Sequence, residues 1–130
     1  MVPEPRSADH ELTTTSRIDV GGHLSLRVSR PTPRTLLVRV AGEVDLSTAR
    51  RLDEVLRSRI RGPVGEVGID LDGVTFFSVA GLNSLLRAQL LADAAGARLT
   101  VDPGRSRAVK RLFTLLPMDF YGVMSPRAVG

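Results

Sequence analysis

Asp70 and Asp72 are the nearest approach in this chain to a pair of carboxylates that could hold a cation. No set of further ligands at metal-binding spacing completes them, so they read as a solvated strand end with a helix start nearby. The two histidines, His10 and His23, sit near neither a serine motif nor paired acids, which leaves a Ser-His-Asp arrangement without support. Gly62, Gly65 and Gly68 lack the Lys-Ser/Thr that follows a phosphate-cradling loop. The chain has no cysteine, which excludes disulfides, thiolate catalysis and thiolate metal sites. These residues point away from an enzyme, and no metal or cofactor is expected.

Two other segments stand out. One is Gly42-Glu43-Val44-Asp45-Leu46-Ser47-Thr48-Ala49; the other runs from Ile69 through Asp70-Leu71-Asp72-Gly73-Val74-Thr75-Phe76-Phe77-Ser78-Val79-Ala80-Gly81 to Leu82. Each bridges a strand and a helix. Loops at the C-terminal ends of strands are where open α/β sheets place their binding sites.

The elements that position these segments follow from apolar periodicity. His23 to Ser29 alternates, with Leu24, Leu26 and Val28 on one side, and Pro31-Thr32-Pro33 breaks it. Thr35 to Val40 alternates likewise, and the short link predicts an antiparallel hairpin. Ala49, Leu52, Leu56 and Ile60 predict a helix over 47–61 with Ser47 as its N-cap and Gly62-Pro63 as its stop. Glu66 to Leu71 is a third strand, and Val74 to Phe77 a short apolar connection. A helix from about Gly81 to Ala94 turns Leu82, Leu85, Leu86 and Leu90 inward and ends at Gly96 in the left-handed conformation. Arg98 to Val101 is a fourth strand, closed by Asp102-Pro103-Gly104. Ser106 to Leu116 is a last helix, with Val109, Leu112, Phe113 and Leu116 on one stripe and Pro117 as its end. The order ββαβαβα predicts an α/β fold: a single domain with a four-stranded mixed sheet and helices packed mainly on one face.

The first segment resembles the G-x-V-D-x-x-T-A turn of STAS domains, the family of bacterial anti-sigma factor antagonists. The second is similar to that family's D-L-S-x-V-x-F-x-D-S-S/T-G-L stretch, and the resemblance covers about residues 22 to 125. It implies a non-enzymatic regulator of transcription that binds an anti-sigma factor serine kinase and so releases a sigma factor. It also implies a phosphoacceptor hydroxyl just before the glycine that opens the second helix, where added charge weakens the complex. The partner-binding residues it implies are Asp45, Leu46, Ser47 and Thr48 on one loop and Ser78, Val79, Ala80, Gly81 and Leu82 on the other.

The sequence departs from the family at the switch. The stretch D-S-S/T-G reads Ser78-Val79-Ala80-Gly81, so the acceptor position is Ala80, which has no hydroxyl. Three readings stay open: constitutive binding, a substitute acceptor at Ser78 or Ser84, or a different STAS-type task. The last would be a scaffold in a stress-signalling complex or an accessory subunit of a lipid transporter. Ser78 is also a natural helix N-cap, and Asp45 is either a partner-contacting acid or a first-turn charge favoured by the helix dipole.

Composition is consistent with one globular domain. The chain has 130 residues, 42% hydrophobic and 25% charged, with a net charge of +4. Its arginines are scattered among acids and its aromatics are few, so nucleic acid is not the expected partner. No apolar run approaches the ~20 residues of a membrane helix, and the first ten residues lack a signal-peptide core. The expectation is a cytoplasmic protein with a flexible arm over 1–22 and the domain over 23–130.

Overall fold

The computed structural model describes residues 15–19, as backbone, and 23–115. Five strands form one sheet in the order β1-β2-β3-β4-β5: β1 Thr15–Asp19, β2 Leu24–Thr32, β3 Thr35–Val44, β4 Glu66–Phe77 and β5 Arg98–Asp102. Three helices, α1 Leu46–Arg59, α2 Val79–Ala95 and α3 Arg107–Thr114, complete the chain order. β1, β2 and β3 pair antiparallel, whereas β3, β4 and β5 pair parallel. The α/β class and mixed sheet are as the sequence predicts, with one strand more.

That strand, β1, lies inside the segment expected to be a flexible arm. It runs along β2 from Thr15 opposite Ser29 to Asp19 opposite Ser25. Edge pairing asks only for backbone donors and acceptors, so the polar run Thr-Ser-Arg-Ile-Asp carries little hydrophobic signal to announce it. Residues 1–14 and 20–22, the remainder of that arm, lie outside the described residues. So do Leu116 and Pro117, which the sequence assigns to the end of the last helix.

One hydrophobic core joins the alternating residues of β2–β5 to the inner faces of all three helices. Leu26, Val38, Ile69 and Val101 are inward residues of four successive strands, and Leu52, Leu85 and Val109 meet them from α1, α2 and α3. The other face of the sheet carries Arg27, Arg39, Asp70 and Thr100, exposed or half-buried. The helices thus take one face, because two right-handed crossovers stepping the same way along a sheet place both helices on the same side.

Several boundaries shift for physical reasons. β4 continues unbroken from Glu66 to Phe77, where the sequence suggested a strand followed by a short connection. Its register against β3 slips between Arg39 and Ala41, and again between Gly42 and Glu43. Each slip is a bulge that adds a residue to β4, so its buried positions run Val67, Ile69, Leu71, Val74, Phe77. β2 likewise runs on to Thr32, and the register irregularity between Ser29 and Thr32 accommodates Pro31.

α2 presents a different face from the one expected. Leu82 and Leu85 are buried, but Leu86 and Leu90 are 39% and 67% exposed. Ser84, Ala88 and Ala92 take the inward places. Small side chains let α2 lie close to α1, near enough for the Ser84 hydroxyl to reach the Ala49 carbonyl at 3.4 Å. An ion pair from Arg87 to Asp53, 2.8 Å, ties the two helices on their outer side.

Candidate functional site

β3 and β4 are hydrogen-bonded parallel neighbours, so the helices that follow them start side by side. Val44 and Phe77, the last residues of the two strands, are register partners. The Ser78 amide then donates to the Val44 carbonyl at 3.0 Å, which extends the ladder to the foot of α2. Both recognised segments therefore converge at one end of the sheet.

α1 starts from a reciprocal cap. The Asp45 carboxylate accepts from the Thr48 amide at 2.9 Å, and the Asp45 amide donates to the Thr48 hydroxyl at 2.9 Å. The Thr48 hydroxyl in turn donates to the Glu43 carbonyl at 2.9 Å. The N-cap is thus Asp45, and Ser47, expected in that role, is an exposed residue whose hydroxyl donates to Asp45 at 3.1 Å. These hydrogen bonds, the Thr48 amide first, hold the Asp45 carboxyl below its usual pKa. Gly42 keeps β3 close to the β2 entrance: its φ is 106°, and a Cβ there would overlap the His23 carbonyl.

α2 starts at Ser78, whose backbone is in the N-cap conformation. Its hydroxyl makes no capping hydrogen bond, however, and the oxygen is buried without a partner among the described residues. The capping role expected of that side chain is therefore not realised. Ser84, the other substitute hydroxyl, is fully buried and donates to the Ala80 carbonyl at 3.2 Å. Neither oxygen faces solvent as a phosphoacceptor must. Ala80 itself is half-buried against the core.

The expected contact residues divide into a surface set and a supporting set. Leu46 and Val79 are 79% and 61% exposed, Ser47 is exposed, and Asp45, Ser78 and Ala80 are half-buried. Thr48, Gly81 and Leu82 are buried. Gly81 lies directly under the site: a Cβ there would come within 2.7 Å of the Phe77 ring and 2.8 Å of Val44. Phe76, opposite Glu43 in the register and 50% exposed, belongs to the same surface. The sequence places it in a connection and not among the contact residues, although it stands at the F of the family stretch.

Asp70 and Asp72 do not form a paired site. Asp70 faces Arg39 at 3.7 Å, while Asp72 receives two hydrogen bonds from the Arg105 guanidinium and one of 2.7 Å from the Arg105 amide. Those bonds draw the Asp72 carboxyl below its ordinary pKa and raise that of Arg105. Among the described residues no cluster of three metal-ligating side chains occurs, and no helix is long and apolar enough to cross a membrane.

Comparison with known proteins agrees with this fold. A family model described as "Mlab, STAS domain" matches residues 28–123. Among solved structures, the chain is similar to the anti-sigma factor antagonist SpoIIAA in its unphosphorylated form, with a TM-score of 0.57 at 20% identity, covering 72% of this chain and 87% of that one. It is also similar to an antisigma-factor antagonist STAS domain from Rhodobacter sphaeroides, with a TM-score of 0.53 at 16% identity over 76% and 97% of the two chains. An anti-sigma factor antagonist from Mycobacterium paratuberculosis gives a TM-score of 0.51 at 21% identity over 88% and 94%. No curated protein matches the sequence.

Proposed function

Since the chain belongs to the STAS-domain family, we propose that it is a cytoplasmic regulatory binding module of the anti-sigma factor antagonist kind. It docks an anti-sigma factor serine kinase and so frees a sigma factor. The observation that carries this reading is the pair of adjacent helix starts, which present exposed Leu46 and Val79 around Ala80. Exposed apolar side chains held by buried supports suit a protein contact. With Ala80 at the acceptor position and the hydroxyls of Ser78 and Ser84 buried, the contact is not switched by phosphorylation there.

The test is affinity capture from native lysate with the wild-type protein and with Val79→Asp, identifying co-purifying proteins by mass spectrometry. Recovery of a small ATP-binding anti-sigma kinase by the wild type, lost in Val79→Asp, is the expected result. Ala80 also favours a second reading, a scaffold or accessory subunit, because a domain without an acceptor hydroxyl has no need of a kinase. Recovery of STAS proteins or transporter subunits and no kinase would establish that reading in place of the first.

A further inference from the structure

Beside the helix-start surface, the end of β4, which lies in the second segment, meets α3, which neither motif reaches. α3 is fixed there at two points. The Ser106 hydroxyl donates to the Val74 carbonyl at 2.7 Å, and the Phe113 ring meets Phe77 edge-on with centroids 6.3 Å apart. These anchors leave a depression of about 360 Å³ lined by Thr75, Phe76, Phe77, Arg107, Ala108 and Arg111.

Arg107 and Arg111 lie one helical turn apart, and both are exposed. Neither guanidinium forms an ion pair or hydrogen bond among the described residues, whereas nearby Arg105 is bound to Asp72. Lys110, on the same helix, lies in the field of Asp72 instead, and no acid occurs in the sequence between Arg105 and Leu115. The floor is aromatic, with Phe76 half-exposed. Two unpaired guanidiniums over an apolar floor complement a carboxylate followed by an apolar side chain. A nucleic-acid backbone is a poorer fit, because Arg39 and Arg105 are already paired with acids and the lining supplies two guanidiniums beside an aromatic floor rather than a continuous basic track.

We infer that the depression between the end of β4 and α3 docks an acidic stretch of a partner protein, with Arg107 and Arg111 holding its carboxylates and Phe76 its apolar side chain. This rests on the proposed function only in that the partner is the one seated on Leu46 and Val79, and it adds the charge that partner must carry beside them.

The experiment uses the full chain and a short fluorescein-labelled peptide of alternating glutamate and leucine, with a lysine-leucine peptide as its counterpart, measured by fluorescence anisotropy. The acidic peptide should bind at least about tenfold more tightly than the basic one, and more weakly as salt is raised. Arg107→Glu with Arg111→Glu should abolish that binding, and Arg107→Gln with Arg111→Gln should weaken it, each with an unchanged unfolding midpoint. Val79→Asp should leave peptide binding intact, so a failed kinase capture and a failed peptide titration are separate results. Equal binding of both peptides, no binding of either, indifference to the double reversal, or equally tight binding of single-stranded DNA would overturn the inference.

Discussion

Asp45 and Thr48 cap each other: each backbone amide donates to the other's side chain at 2.9 Å. This reciprocity fixes where α1 begins, and so holds Leu46 outward at the surface while Thr48 is buried beneath it. Asp45→Ala removes the carboxylate and should lower the urea midpoint. Asp45→Asn keeps an acceptor and should cost less at neutral pH.

The same carboxylate sets an acid dependence. Its folded pKa lies below the ordinary 3.8, chiefly through the Thr48 amide. The stabilisation is therefore complete above the unfolded value and is lost as pH falls through the folded one. Asp45→Asn should flatten the fall of the unfolding midpoint below about pH 4. The flattening is partial, because Asp72 is shifted the same way by Arg105 and still titrates. An acid slope identical to wild type would show that the cap carries no charge-dependent stability.

Gly81 is set by space rather than by backbone conformation. An added methyl would press on both the Phe77 ring and Val44, each buried. Helix propensity favours alanine over glycine by roughly 0.5–1 kcal/mol, but overpacking a buried site costs about 1–3 kcal/mol. The clash wins, so Gly81→Ala should lower stability on the order of 1 kcal/mol. Because Phe77 leads directly into Ser78 and Val79, the substitution should also weaken partner capture at temperatures where the variant remains folded. A stable Gly81→Ala protein with full capture would show that Phe77 yields without moving the α2 start.

The parts of this architecture that follow a simple period are legible in the sequence. Leu24-Leu26-Val28 and Leu36-Val38-Val40 alternate and are buried in the hairpin, and Leu52 and Leu56 keep helical spacing in α1. The two loops of the site are legible too, because Gly42 to Ala49 and Ser78 to Leu82 each join a strand end to a helix start. What the period misses are its interruptions. The bulges of β4 stretch the spacing from Leu71 to Val74 to Phe77 to three residues, so one strand reads as a strand and a connection, and the period does not show that Phe76 faces outward. Ser47 and Asp45 are both good caps by residue type, and only the partner at Thr48 decides for Asp45. Ser78 shows that an N-cap residue type does not ensure a capping bond.

α2 is where hydrophobicity misleads most, and its two leucines give the sharpest check on the packing. A helix apolar on several sides does not announce its inner face. In the structure that face is Leu82, Leu85, Ala88 and Ala92, set by the close approach of α1 near Ala49, while Leu90 is 67% exposed. Leu85, with no exposure, should cost about 2–5 kcal/mol when truncated to alanine, through lost transfer energy and the cavity left behind. Leu90→Gln should change stability by no more than about 0.5 kcal/mol, because the side chain already meets water. Urea unfolding of the two variants separates these outcomes by several-fold. Comparable losses at both positions would mean that α2 is rotated toward the face that its leucines suggested. In that arrangement Ser84 would leave the Ala49 carbonyl and the start of α2 at Val79 would turn with it.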